Sequence, residues 1–116
     1  MNNLLTGKNG EDLAVTYLQQ LNFVVIERNW RHRHTEIDII AAKDNVLHII
    51  EVKTRKSLKF GKPEESVSVK KMAQLKKGAE EYQFLHNEWK EIRFDVLAIT
   101  ILKNKIEYWL NEDVYF

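Results

Sequence analysis

Two strand-like runs, Thr35–Ala42 and Val46–Thr54, flank the dipeptide Asp44-Asn45. Asn and Asp tolerate the positive φ angles of a two-residue hairpin turn, so the runs are expected to pair antiparallel. With Asp44 and Asn45 as the loop, Lys43 opposes Val46, and the numbers of every opposed pair sum to 89. Strand alternation then sends Ile37, Ile39 and Ala41 to one face, against Ile50 and Val52. The other face carries Glu36, Asp38 and Ile40 against Ile49, Glu51 and Lys53. In this register Asp38 opposes Glu51, and Glu36 opposes Lys53. One side is ordinary core. The other sets three acids and a lysine at the edge of an apolar zone.

The rest of the chain must cover such a hairpin. Leu13, Ala14, Tyr17, Leu18 and Leu21 recur at helical spacing and predict a helix over 7–21, with Asn9 and Asp12 as its cap. Phe23–Glu27 reads as a short strand, and Trp30-Arg31-His32-Arg33 as an irregular connection. A Lys-rich loop with Gly61 and Pro63 follows the hairpin. Ser66 is placed to cap a second helix to about Phe84, with Val69, Met72, Leu75, Ala79 and Tyr82 toward the core and Gly78 weakening it. Ile92–Leu102 is almost continuously apolar, which suits a strand buried on both faces. Lys103-Asn104 turns it into a last strand, Lys105–Leu110. The expected order is α-β-β-β-α-β-β, an α+β mixed sheet flanked by helices. The helix between the third and fourth strands is long enough for a parallel crossover. The 116 residues, without repeat or linker, fit one domain spanning 1–116.

Composition narrows the chemistry. There is no Cys, which excludes disulfides, thiolate zinc sites and a cysteine nucleophile. No run approaches the roughly 18 apolar residues of a membrane span, and the expected address is the cytoplasm. The formal charge is +1, but Val52–Ala79 holds nine basic and two acidic side chains, a net +7 that leaves −6 elsewhere. Such a stretch suits a polyanion partner, or else a solvated helix face.

Like charges opposed across a ladder cost roughly 0.2–1 kcal/mol, so folding gains nothing from Asp38 against Glu51. A divalent cation reverses that sign, because paired carboxylates are oxygen ligands suited to Mg²⁺ or Mn²⁺. A neighbouring lysine can then orient water and steady charge on a phosphate. The acid-x-Lys triplet says little alone: the chain has two, Glu51-Val52-Lys53 and Glu88-Trp89-Lys90. The specific feature is the first triplet within Ile-Ile-Glu-Val-Lys, with Asp38 opposite.

Asp38 followed by Glu51-x-Lys53 across a hairpin resembles the PD-(D/E)xK pattern of restriction-endonuclease-like folds. More closely, the chain resembles the YraN family of predicted endonucleases, distantly similar to archaeal Holliday junction resolvases. The likeness runs through Gly7-x-x-Gly10-Glu11, Arg28-Asn29-Trp30-Arg31, Glu36-Ile37-Asp38, Glu51-Val52-Lys53-Thr54-Arg55, Gly61-x-Pro63, Lys71 and Arg93-Phe94-Asp95. It implies a metal-dependent endonuclease acting on DNA, with branched DNA among its expected substrates and Mg²⁺ or Mn²⁺ as cofactor. By this resemblance Asp38, Glu51 and Lys53 are catalytic, and Asp38, Glu51 and Glu11 hold the metal. Glu11 reads equally well as an acid favoured in a helix's first turn. Nucleic-acid contacts are expected from Arg31, Arg55, Lys56, Lys59, Lys70 and Lys71. A homodimer follows only by analogy with resolvases, which cut two strands symmetrically. The chain departs from the family at Thr35, where a glycine usually stands, and at Ile37, in place of the nominal proline.

Other readings stay open. His32, His34, Glu36 and Asp38 alternate and could face one transition metal, though loop histidines are the plainer reading. Trp30 among arginines could stack on a base. Lys71 could reach the sheet, a phosphate or solvent. His48 is expected to be a satisfied buried histidine, and Arg93 with Asp95 a structural ion pair. The alternative to an enzyme is a nucleic-acid-binding module on the same fold without catalysis. A third class is an adaptor whose basic stretch docks an acidic protein.

Overall fold

The computed structural model describes residues 7–56 and 68–114. The elements are α1 (Gly7–Gln20), β1 (Val24–His32), β2 (Thr35–Lys43), β3 (Val46–Arg55), α2 (Val69–Leu85), β4 (Ile92–Ile101) and β5 (Ile106–Asn111). This is the expected α-β-β-β-α-β-β order. One five-stranded sheet runs β1-β2-β3-β4-β5. Among the described residues, only β3 and β4 pair parallel, with α2 as the crossover between them. The Asp44-Asn45 turn has φ 54° and 67°, the signs a type I′ hairpin requires, and Lys43 opposes Val46.

The two helices cover opposite faces. Ala14 and Leu18 of α1 pack with Ile39, Ala41, Ile50, Leu97 and Ile99. Leu75, Ala79 and Tyr82 of α2 pack with Ile37, Ile40, Leu47, Ile49 and Phe94. Residues Phe94 to Ile101 are all buried, as the apolar run of β4 predicts. Among the described residues, no helix is long and apolar enough to cross a membrane.

Several boundaries differ from expectation. β1 continues to His32 instead of ending at Glu27, because Trp30 and His32 pair with Ile37 and Thr35. A register shift at Ile26 adjusts its fit to β2. α1 begins at Gly7, which puts Asn9 inside the first turn, and the Asp12 carboxylate is bonded to Arg28 at 2.6 Å. The cap of α2 is Ser68, whose Oγ accepts from the Lys71 amide at 3.1 Å. Ser66 lies outside the described residues. Val69 is 88% exposed, since it starts the helix beyond the sheet it was expected to cover.

Gly78 does more than weaken α2. A Cβ there would lie 2.5 Å from Thr35 Cγ2 and 3.3 Å from Ile37 Cδ1, so the missing side chain lets the helix sit against β2. Thr35 Oγ1 also donates to the Gln74 carbonyl at 3.3 Å. Gly78→Ala gains up to about 1 kcal/mol in helix propensity but overpacks this contact, at roughly 1–3 kcal/mol. The expected result is a net loss of about 1 kcal/mol in denaturant unfolding. Adding Thr35→Ser, which removes the opposing methyl, should recover it.

Candidate functional site

Hairpin pairing stops where the chemistry begins. The β2–β3 ladder runs from Lys43↔Val46 to Ile39↔Ile50 and no further. At the next position the Val52 amide donates instead to Asp38 Oδ2, at 2.9 Å. The carboxylate thus lies between the strands and takes a backbone donor. The expected strand pairing of Asp38 with Glu51 and of Glu36 with Lys53 is therefore not made. Glu36 bonds across the other side, to Arg31 of β1 at 3.2 Å.

The alternation of β2 breaks at the same residue. Ile39 and Ala41 face α1, yet Ile37, expected beside them, packs under α2 with Ile40. β1 changes in step: Arg28 and Asn29 bond to α1 side chains, while Trp30 packs under α2. Asn29 makes the change possible by taking φ 53°, a left-handed conformation that Asn tolerates. Asn is depleted in strands, so its presence in β1 was the available signal.

Glu51 and three further charged groups gather at Asp38 or at Glu51 itself. Glu51 follows Leu47 and Ile49 on the α2 face of β3, and its side chain is 15% exposed. Lys71 Nζ, in the first turns of α2, lies 3.8 Å from Glu51 Oε2. Lys53, two residues on from Glu51, is near enough to lower its pKa. Glu11 of α1 accepts from Asn29 Nδ2 at 2.9 Å and raises the pKa of Asp38. Gly10 lets α1 come this close, since a Cβ there would meet Thr54 Oγ1 at 2.6 Å.

Burial is the largest influence on both central acids. It raises Asp38, against the lowering bond from Val52, and Glu11, Lys71 and Glu36 follow in weight. Burial and then the Asp38 charge push Glu51 up to about 7, with Lys71 and Lys53 opposing. Glu51 Oε1 is buried with no hydrogen-bond partner among the described residues. A buried acceptor left unpaired costs roughly 1–3 kcal/mol.

The other candidates are dispersed. Arg55 is half-buried at the end of β3 and Lys56 exposed just beyond. Lys70 is exposed beside Lys71, and Lys59 lies outside the described residues. Trp30 is half-buried, edge-on to Tyr82 and stacked with His32, so it is not offered to a base. Arg93 pairs with Glu91 at 3.0 Å, not with Asp95. Asp95 instead takes His48 Nδ1 at 2.6 Å and the Asp113 amide at 2.9 Å, which satisfies that buried histidine. Among the described residues, no group of three or more His, Asp or Glu side chains is arranged to hold a metal ion. The alternating His32, His34, Glu36 and Asp38 do not form one: Arg33 and His34 make the β1–β2 turn, and Glu36 is engaged by Arg31.

Fold and site together define a small α+β domain with a carboxylate–lysine cluster where two central strands part. The pattern of uncharacterised protein family UPF0102 matches residues 10–99. The chain belongs to that family, the one to which the YraN resemblance pointed. It is 41% identical to a UPF0102 protein of Flavobacterium psychrophilum over 95% of this chain and 92% of that one. A UPF0102 protein of Dictyoglomus turgidum is 46% identical over 94% of each.

The raised Glu51 pKa carries a signed consequence. The folded protein holds this proton more tightly than the unfolded chain, so the associated stability is complete below about 4.5 and is lost as pH rises through about 7. In EDTA, the wild type should lose on the order of 2 kcal/mol relative to Glu51→Gln between pH 5 and 8. Parallel denaturant melts of the two proteins read the difference, and coincident pH profiles would refute the assignment.

Proposed function

We propose that this protein is a metal-dependent endonuclease that hydrolyses phosphodiester bonds in DNA. The carrying observation is the Asp38–Glu51 pair, two partly buried acids with raised pKa values beside Lys53 and Lys71. Folding alone has no use for such a pair. Glu51 Oε1, buried and unpartnered among the described residues, is the oxygen that best fits a cation. The donors are hard oxygens, as Mg²⁺ and Mn²⁺ prefer. Two side chains leave most positions on such an ion to water and substrate, a usual arrangement for Mg²⁺.

Asp38 and Glu51 would hold the ion, with Glu11 as an outer carboxylate kept in place by Asn29. The bound ion supplies Lewis acidity toward phosphoryl oxygens and a more acidic water. Lys53 orients the attacking water and balances charge on the phosphate. Lys71, held at 3.8 Å from Glu51, is placed to turn to the same phosphate. Arg31, Arg55, Lys56, Lys59 and Lys70 add phosphate contacts, which position a strand without reading its sequence.

A cleavage panel of duplex, single-stranded, flap and four-way DNA with Mg²⁺ and Mn²⁺ tests this reading. Activity should require the ion and fall about 100-fold or more in Asp38→Asn, Glu51→Gln and Lys53→Met. Cleavage that persists in all three variants would assign it elsewhere. Salt-sensitive DNA binding that survives EDTA, with no cleavage of any substrate, would leave the non-catalytic module.

Ion binding has a readout apart from activity. At ten times the dissociation constant, Mn²⁺ should stabilise the wild type by about 1.4 kcal/mol, or several degrees in melting temperature. Asp38→Asn can still accept from the Val52 amide, so its metal-free stability should equal or exceed that of the wild type. It should show little response to Mn²⁺. A destabilised variant together with an unresponsive wild type would sink the metal site.

A further inference from the structure

A cleft of about 660 Å³ opens between the β1–β2 turn and the outer half of α2. Its walls include His32, Arg33, Lys77, Glu81 and Phe84, with Gly78 set between them. The volume falls within the range of small-molecule sites. Phe84 is 78% exposed, an apolar ring held in water in a cleft that Arg33 and Lys77 also line. Nothing in the core calls for an aromatic residue there, since α2 buries Leu75, Gly78, Ala79 and Tyr82.

The charged walls hold two cations, Arg33 and Lys77, and two carboxylates, Glu80 and Glu81. Glu81 Oε1 lies 3.7 Å from His32 Nε2, and Arg33 Nε lies 3.3 Å from the same nitrogen. Carboxylates repel phosphate but accept hydrogen bonds from amino groups on a base edge. Arg33 and Lys77 suit a phosphate. An aromatic face, edge acceptors and cations together match one ligand class, a nucleotide whose base is free to stack.

Position ties the cleft to the carboxylates. Thr35, which touches the Gly78 backbone position, precedes Asp38 by three strand residues, about 10 Å. Lys77 follows Lys71 by six helical residues, about 9 Å. A strand lying on Asp38 and Glu51 covers that distance within a few nucleotides.

We infer that this cleft is a subsite for an unpaired nucleotide, its base stacked on Phe84 and its phosphate between Arg33 and Lys77. The inference rests on the nuclease reading for its substrate and narrows that substrate to DNA with single-stranded character near the cut. A paired base inside a duplex cannot reach Phe84.

The test uses the full chain and a short single-stranded oligonucleotide carrying 2-aminopurine, whose fluorescence falls on stacking. In EDTA the wild type should quench it, and Phe84→Ala should weaken binding about tenfold and remove most of the quenching. Arg33→Ala with Lys77→Ala should weaken binding and reduce its salt dependence. Val24→Ser, an exposed apolar position on β1 outside the cleft, serves as the control and should match the wild type. In cleavage assays, Phe84→Ala should lose more activity on a flap than on a blunt duplex. Stacking that depends on Phe84 in a protein that cuts nothing would keep the subsite and refute the nuclease. Cleavage with no Phe84 effect on quenching or substrate preference would keep the nuclease and refute the subsite. Equal losses on single strand and duplex would also refute it.

Discussion

The hydrogen bond from the Val52 amide to Asp38 Oδ2 sets the point where β2 and β3 part. In a regular ladder that amide would bond to backbone across the strands, and Asp38 would simply face one side. Because a carboxylate takes the donor, the strands stay linked while their backbones diverge. The Val52 amide keeps an acceptor through the separation. The acid is held from below by main chain, in contact with influences from both helices: Glu11 from α1 and Lys71 from α2. Everything distinctive about the site follows from that placement between the layers.

Two glycines bring the helices near enough to matter. Gly10 sets α1 against Thr54, and Gly78 sets α2 against Thr35 and Ile37. At Gly78 the contact is made by a threonine methyl against a bare helix backbone, so the close approach rests on the small residue of the helix. Without it, Lys71 would stand off from Glu51 and the cleft beneath the β1–β2 turn would change shape.

The electrostatics run against folding. Burial raises both acids, helped at Asp38 by Glu11 and Glu36 and at Glu51 by the Asp38 charge, and one Glu51 oxygen is buried without a partner among the described residues. Strain of this kind concentrates at functional sites, where the surrounding structure is strong enough to hold it. Here the holding structure is the dense double core around β3 and β4. By contrast the His48–Asp95 pair in the same sheet is fully satisfied, with the Asp113 amide as a third member. Two buried acids in one sheet thus differ in kind: one closes a network, the other leaves it open.

Local rules made much of this legible in the chain itself. The type I′ turn at Asp44-Asn45 and strand parity specify the hairpin register from Lys43↔Val46 to Ile39↔Ile50, and the helical stripes specify which faces bury. Asp38, Glu51 and Lys53 stand out as residues that this register brings to one end of the hairpin. Parity misassigned Ile37, because β1 and β2 change faces together at Asn29 and Asp38, and a change shared by two strands is invisible in either alone. The reach of Lys71 to Glu51 and the cleft around Phe84 depend on how closely α2 settles on β2. That distance is decided by the fit of one glycine against one threonine some forty residues away in sequence, a packing relation that only the folded chain contains.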